Sequence, residues 1–108
     1  MIEDLDPLIH APKRLAAMAI LAVSAQATFP SLRERLAVSD SDLSKQMSAL
    51  EAAGYVEIRK SGRGRGSTTT FRITRDGRSA YLRHRAALEA LLATAAEPDT
   101  APGGSPGG

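Results

Sequence analysis

Side chains that could perform catalysis are scarce in this chain of 108 residues, which contains no cysteine and only two histidines. Neither His10 nor His84 has a nearby pair of candidate metal ligands, and serine, histidine and aspartate do not cluster as nucleophilic catalysis would require. We expect His84 to be a partly buried interface histidine rather than a ligand. The sequence therefore predicts a protein that is not an enzyme and that uses no metal and no cofactor.

The glycine-rich stretch SGRGRG, residues 61–66, does not predict a phosphate-binding loop. It lacks the Lys-Ser/Thr ending of that loop and does not stand between a strand and a helix in the required way. Arg63 and Arg65 could instead belong to an RNA-binding segment. Such segments usually repeat and carry aromatic residues for base stacking, whereas this one occurs once.

A set of five polar residues between positions 39 and 48 combines short hydroxyl side chains with one cation and carries no negative charge. Its members are Ser39, Ser41, Ser44, Lys45 and Ser48. Hydrogen-bond donors of this kind can read base edges or hold phosphates, so a helix that presents them is suited to a DNA groove. For an isolated helix, a merely solvated surface is the alternative interpretation.

The stretch from Ser39 to Gly54 has the signals of such a helix. Ser39 is a candidate N-cap, and Asp40 and Asp42 place negative charge in the first turn, where the helix dipole favours it. One narrow apolar stripe, made of Leu43, Met47 and Leu50, faces a core. Gly54 ends the helix because it can adopt a left-handed conformation without strain.

Two further helices are predicted before this one. Residues 12–25 begin with Pro12 in the first turn and are so densely apolar that they form the core helix. Residues 29–36 form a short amphipathic helix capped by Thr28 or Phe29. Ala37 and Val38 alone link it to the next helix, which is the sequence form of a helix-turn-helix.

A β-hairpin is predicted after Gly54. YVEIRK, residues 55–60, alternates apolar and polar side chains, and Phe71 and Ile73 supply a matching inward pair on the second strand. The loop between the strands projects Arg63 and Arg65, with Lys60 at its base. A polar-faced helix followed by a basic hairpin is the winged-helix arrangement, and the predicted fold class is α+β, mainly α.

Charge is segregated along the chain although the formal net charge is only +2. Nine basic residues lie between Arg59 and Arg85, against one acid, Asp76. We expect this segregation to create a positive face that attracts a polyanion, whereas solvated salt-bridge partners are the alternative.

Residues 36–81, LAVSDSDLSKQMSALEAAGYVEIRKSGRGRGSTTTFRITRDGRSAY, resemble the winged-helix transcriptional regulators of the MarR/ArsR-like group. The motifs that carry the resemblance are the capped helix VSDSDLSKQ, the strand entry AAGYV, the wing and the helix start ITRDGR, and the similarity extends from about Leu5 to Leu92. The resemblance implies a homodimer that binds double-stranded DNA, with the recognition helix in the major groove and the wing arginines at the backbone or minor groove.

The sequence departs from that family in two respects. Ala37 stands where such turns often have glycine, which affects only the geometry of the turn. The thiolate ligands of the metal-sensing members are missing, which argues against a thiolate sensor.

The last predicted helix covers residues 75–95, with Thr74 as its N-cap. Packing of the apolar N-terminal edge on this helix within one chain could cover part of its apolar stripe. The apolar surface still exceeds what one small domain must cover, so we expect a dimer interface there. The predicted interface residues are Leu5, Leu8, Ile9, Tyr81, His84, Leu88, Leu91 and Leu92. Residues 1–95 would then form one domain, and residues 96–108, rich in proline and glycine, a disordered tail.

These patterns predict a sequence-specific DNA-binding regulator, most simply a dimeric repressor or autoregulator on an inverted-repeat operator. The alternative is a winged-helix module that binds proteins and touches no nucleic acid. The acidic start MIEDLDPL is unlike a signal peptide, and no apolar run is long enough to span a membrane. We therefore expect a cytoplasmic protein, and the sequence does not identify a small-molecule effector.

Overall fold

The structure is a computed structural model, and it describes residues 2–96. It contains five helices and three strands in this part of the chain, with short 3-10 turns at Ile2–Asp4 and Gly64–Gly66. In order, the elements are α1 (Pro7–His10), α2 (Pro12–Ser24), β1 (Gln26–Thr28), α3 (Phe29–Leu36), α4 (Asp40–Ala52), β2 (Val56–Ser61), β3 (Thr68–Ile73) and α5 (Arg75–Ala96). The predicted fold class is confirmed: three helices, α2, α3 and α4, pack with an antiparallel sheet and a long C-terminal helix.

Helix α2 lies at the centre of the core. Its inner face buries Ala17, Met18 and Leu21, while the stripe predicted for the recognition helix packs against the same cluster from α4. Each of these side chains is 0% exposed. Burial of a large apolar side chain stabilises a fold by roughly 1.5–3 kcal/mol, so this cluster holds the helices together.

The helix that carries the polar face begins and ends as predicted. The hydroxyl of Ser39 accepts a hydrogen bond from the backbone N–H of Asp42 at 3.1 Å, which is the capping contact. At the other end Gly54 has φ +80°, a left-handed conformation that a side chain would strain. The first turn carries Asp40 and Asp42, where negative charge is favoured by the dipole.

The turn between α3 and α4 has the geometry for which glycine is usual. Ala37 adopts φ 56° and ψ 48°, the left-handed helical region, and its N–H donates to the carbonyls of Arg33 and Glu34. An ion pair between Arg33 and Asp40, 2.7 Å long, crosses the turn. The absence of glycine therefore leaves the turn intact, at the cost of about 1–2 kcal/mol that a Cβ imposes in this region.

The predicted hairpin is present, and it belongs to a sheet of three strands in the order β1, β3, β2. Ile58 pairs with Phe71 and Val56 with Ile73, so the predicted inward residues face each other. Strand β1 was not predicted. It consists of only three residues, and Ala27 pairs with Phe71 across the other edge of β3. This places the end of α2 beside the sheet.

Helix α5 is capped by Thr74 as predicted. Its hydroxyl accepts from the N–H of Gly77 at 2.9 Å and donates to the carbonyl of Gly54 at 2.6 Å. The glycine in this first turn has a packing reason. A Cβ at position 77 would lie 2.0 Å from the carbonyl oxygen of Tyr55, so only glycine lets α5 approach the start of the hairpin this closely.

We expect Gly77→Ala to lower the free energy of unfolding by roughly 1–3 kcal/mol, because the added methyl meets backbone rather than a flexible side chain. Urea denaturation of the variant and the parent protein measures the difference. Gly66→Ala is the matched control, since nothing lies within 4 Å of a Cβ at that position. Equal loss of stability in both variants would contradict the packing explanation.

The N-terminal segment packs on its own chain, which changes part of the predicted dimer surface. Ile9 is 0% exposed and belongs to the hydrophobic core. His84 is 1% exposed and is hydrogen bonded to Asp6 and His10 of the same chain. Neither Ile9 nor His84 can therefore contribute exposed surface to a partner. Residues 97–108, nearly all of the predicted tail, lie outside the described residues.

Candidate nucleic-acid interface

The polar face of α4 is solvent-exposed along its whole length. The exposed side chains are Ser39, Ser41, Ser44, Lys45 and Ser48, while Leu43, Met47 and Leu50 are fully buried on the opposite side. Lys45 lies about 200° around the helix from Leu43, at 100° per residue. The predicted residues therefore share one outward face, and Lys45 supplies the positive charge of that face.

Side chains from α2 hold α4 in place beneath this face. Lys13 forms an ion pair with Asp42, and the amide of Gln46 donates to the same carboxylate at 2.9 Å. Arg14 donates to the side-chain oxygen of Gln46 at 2.6 Å and to the backbone carbonyl of Leu8 at 2.6 Å. The hydrogen bond from Gln46, and then that from Lys13, lowers the pKa of Asp42, so this carboxylate stays charged.

The role of Asp42 follows from these contacts. Its negative charge could repel phosphate, but Lys13 balances that charge and both carboxylate oxygens accept hydrogen bonds. Sequence reasoning treated Asp42 only as a first-turn acid. Its partners come from a helix about thirty positions earlier, so no local pattern could reveal the contact.

The recognition helix and the hairpin meet in one cleft of about 200 Å³. Ser44 and Ser48 of α4 line one wall, and Lys60 and Thr69 line the other. Phe29, Ile58 and Phe71 complete the lining, and the rings of Phe29 and Phe71 are 5.8 Å apart. The structure thus brings together predicted residues from both elements, and it adds Thr69 and Phe29, which the sequence analysis missed.

The wing extends from this cleft as an ordered turn. The hydroxyls of Ser61 and Thr68 are 2.9 Å apart at its base. At its tip, the N–H of Gly66 donates to the carbonyl of Arg63 at 3.1 Å, which closes a 3-10 turn. Lys60, Arg63 and Arg65 are all exposed. The two arginines therefore lie on a folded, exposed tip.

The nine basic residues between Arg59 and Arg85 do not lie on a single face. The positive face expected from the sequence is therefore made of fewer residues. Because neighbouring residues of a strand point to opposite sides of the sheet, the side chains of Arg59 and Lys60 lie on opposite faces. Lys60 lines the cleft, whereas Arg59, Arg72 and Arg75 line a polar hollow with Glu57. Arg83 and Arg85 lie farther along α5. Of these nine residues, all within the part of the chain that the structure describes, Lys60 lines the cleft with the recognition helix, and the wing that follows it carries Arg63 and Arg65.

The remaining residues of the predicted dimer surface are partly or largely exposed. Leu5, Leu8, Tyr81, Leu88 and Leu91 are half-buried. Leu92, near the C-terminal end of the last helix, is 58% exposed. A groove of about 460 Å³ runs between α2 and α5, lined by Leu15, Ala16, Ala19, Tyr81 and Leu88 with Pro12 and Arg85. On α5 this groove therefore includes two of the predicted interface residues, Tyr81 and Leu88.

No group of three or more histidine, aspartate and glutamate residues within residues 2–96 is arranged to hold a metal ion. None of the helices in this range is long and apolar enough to cross a membrane.

Comparison with solved structures finds the same fold in several proteins. A transcriptional regulator homologue from Pyrococcus horikoshii OT3 is 24% identical, with a TM-score of 0.79, over 85% of this chain and 91% of the other. YusO from Bacillus subtilis is 18% identical, with a TM-score of 0.74, over 87% of this chain and 66% of the other. A PadR family transcriptional regulator from Eggerthella lenta DSM 2243 is 17% identical, with a TM-score of 0.63, over 82% of this chain and 86% of the other.

Comparison with curated protein sequences finds no significant match. A family model described as a winged helix DNA-binding domain, however, matches residues 13–92. The match includes α2, the helix-turn-helix, the wing and most of α5, and it covers well over half of the chain. The resemblance to winged-helix regulators predicted from the sequence is therefore confirmed. The chain belongs to the winged helix DNA-binding domain family.

Proposed function

We propose that the protein is a dimeric transcriptional repressor or autoregulator that binds an inverted-repeat operator. In this proposal α4 enters the major groove and the wing, residues 61–66, contacts the backbone or the adjacent minor groove. The observation that carries the proposal is the cleft in which Ser44, Ser48 and Lys60 meet. Donors from the helix and the hairpin converge there, as one continuous DNA surface requires.

The proposed action is occupation of DNA rather than chemistry. Serines and Lys45 on α4 would read base edges or hold phosphates, and the wing cations would add sequence-independent attraction. The dimer would place two recognition helices about 34 Å apart, one turn of DNA, which is why an inverted repeat is expected. Selection of genomic fragments bound by the purified protein would identify the operator.

A protein-binding module without DNA contacts is the second candidate, and the apolar groove between α2 and α5 favours it. The dimer we propose covers the same surface with a second copy. The two candidates differ in their response to salt. A DNA binder loses affinity steeply between about 50 and 200 mM salt, because each neutralised phosphate releases counterions. Filter binding at these two concentrations separates them, and absence of DNA binding at the lower one would contradict our proposal.

Lys45→Ala tests the recognition face. We expect it to cost about 1–3 kcal/mol at one position of each half-site and to relax the choice of base there, because Lys45 is best placed to reach a guanine edge. Fluorescence anisotropy with the operator and with single-base variants measures both effects.

The control for this experiment is Arg72→Ala, which removes the same charge from the face of the sheet opposite the cleft. It should leave the order of preference among operator variants unchanged. If Lys45→Ala also keeps the parent preference, the face that we assign to base recognition is wrong.

A further inference from the structure

A network of hydrogen bonds joins the N-terminal segment to α5 and to Tyr55, which lies just after the recognition helix. The backbone N–H of Asp6 donates to Nδ1 of His84 at 2.9 Å, and Nε2 of His84 lies 3.2 Å from Nδ1 of His10. The carboxylate of Asp6 accepts from the hydroxyl of Tyr55 at 2.8 Å. The proposed DNA interface uses none of these groups.

These contacts allow one arrangement of protons. A backbone N–H can only donate, so Nδ1 of His84 must be unprotonated. A neutral His84 then carries its proton on Nε2 and donates it to Nδ1 of His10. A proton added to Nδ1 of His84 would point at the N–H of Asp6, so two donors would meet without an acceptor. A proton added to Nδ1 of His10 would point at the Nε2–H of His84 in the same way. The network is therefore complete only when both rings are neutral.

The surroundings of His84 disfavour its charged form. Burial, followed by the effect of His10, lowers the pKa of His84 from its ordinary value of 6.5, while Asp6 acts in the opposite direction. The hydrogen bond to Asp6 raises the pKa of Tyr55. On α5, the charge of Asp76 also raises this pKa, whereas the charge of Arg83 lowers it. Glu3 and Asp4 lie in the N-terminal turn that packs on α5.

The direction of this shift determines the effect of pH. Because the folded-state pKa of His84 is lowered, neutral His84 stabilises the packed segment fully above about pH 6.5. That stabilisation is lost as the pH falls through the lowered value. Acidification therefore weakens the contact between the N-terminal segment and α5.

The same segment also supports the recognition helix. The carbonyl of Leu8 accepts from Arg14, which in turn donates to Gln46 on α4. Asp6 holds Tyr55, which lies three residues after Ala52, the last residue of α4. Release of residues 5–10 would therefore remove one partner of Arg14 and the partner of the Tyr55 hydroxyl.

We propose that the network of Asp6, His10, Tyr55 and His84 is a pH-sensitive latch. At neutral pH it holds the N-terminal segment on α5, and on acidification it releases that segment and loosens the recognition helix. The release is a property of the folded chain alone, and only its consequence for DNA affinity rests on the proposed function.

Nuclear magnetic resonance of the full chain tests the latch. At about pH 7.5, ring nitrogen shifts should show both histidines with the proton on Nε2. As the pH falls from about 7.5 through the lowered pKa of His84, which the same ring shifts locate, the amide of Asp6 should lose its protection from hydrogen exchange, after correction for the intrinsic rate. Amides of α4 should lose part of theirs. Unchanged protection of Asp6, or a proton on Nδ1 of His84 at the higher pH, would overturn the proposal.

His84→Asn is the informative variant, because its side-chain oxygen can accept from Asp6 and cannot be protonated in this range. Its Asp6 amide should stay protected at pH values above and below the pKa of His84 in the parent. His84→Leu removes the acceptor, so the amide should exchange readily at both. A His84→Asn protein that loses protection as the parent does would overturn the assignment to His84. The measurements on the parent protein do not depend on either variant folding.

DNA binding provides the second readout. At constant ionic strength, acidification of the parent protein should raise the Kd for its operator, whereas histidine protonation acting only through added positive charge would lower it. The Kd of His84→Asn should not rise in this way. A parent Kd that falls while the Asp6 amide is released would show that the segment does not support α4. A chain that binds no DNA at either pH contradicts the proposed function, and the exchange measurements still decide the latch.

Discussion

Replacing Leu88 and Leu91 together with glutamate is expected to convert the proposed dimer to a monomer and to weaken binding to the proposed inverted-repeat operator by about 100-fold or more. The estimate comes from the gain in effective concentration when two half-sites are bound by linked modules. Both leucines are half-buried on α5, and neither is among the residues packed against the hydrophobic core. A carboxylate forced into an apolar interface must lose its hydration, which strongly disfavours association.

The mass of each protein at micromolar concentration, from sedimentation or light scattering, measures dimerisation, and anisotropy measures operator affinity. Leu82→Glu is the matched control on the same helix. Leu82 is 50% exposed and lies about 180° around the helix from Leu91, away from the proposed interface. Its mass and affinity should match those of the parent.

Two results would contradict the dimer proposal in different ways. A parent protein that is monomeric and still binds a single half-site tightly would remove the need for a dimer. Equal masses for the parent and the Leu88→Glu, Leu91→Glu variant would show that the interface lies elsewhere. Thermal unfolding of the variant separates a loss of dimerisation from a loss of folding.

Replacing Arg63 and Arg65 with alanine should reduce the salt dependence of DNA binding by roughly two units per protomer, if each arginine neutralises one phosphate. The two side chains lie on the exposed tip of the wing, and the described structure records no acidic partner for either. Their contribution should be the same for all sequences, because phosphate contacts carry no base information. Affinity should therefore fall for operator and unrelated DNA alike.

The slope of log Kd against log salt concentration measures this effect. Arg83→Ala with Arg85→Ala removes the same charge at the same spacing from α5, so it controls for a general change in net charge. That control should leave the slope nearly unchanged, provided that its mass shows an intact dimer. An unchanged slope in the wing variant would mean that the wing points away from DNA.

Local patterns in the sequence were sufficient to predict the elements that carry the interface. Ser39 and Gly54 bound α4 because a cap and a left-handed residue act on the chain within one turn. The stripe of Leu43, Met47 and Leu50 has the helical period, so the outward position of Lys45 followed from spacing alone. The alternation in β2 predicted the hairpin in the same way.

The tertiary structure decided the features that depend on distant partners. Strand β1 is too short to show a period, and it forms because β3 offers it a free edge. The nine clustered cations looked like one face in the sequence, but the alternation of a pleated sheet places Arg59 and Lys60 on opposite sides. The number and the clustering of charged residues do not reveal on which side of the sheet each cation lies.

His84 shows most clearly what the sequence by itself could not determine. Its place in the apolar stripe of α5 indicated a surface between protomers, because a helical period reports which residues share a face and not what covers that face. The covering element is the N-terminal segment, whose Asp6 is 78 positions away along the chain. The sequence thus determined the helices, the hairpin and the polar face of α4, since these depend on neighbours within a few residues. Only tertiary packing determined that the two histidines meet inside one protomer, because that contact joins the two ends of the domain.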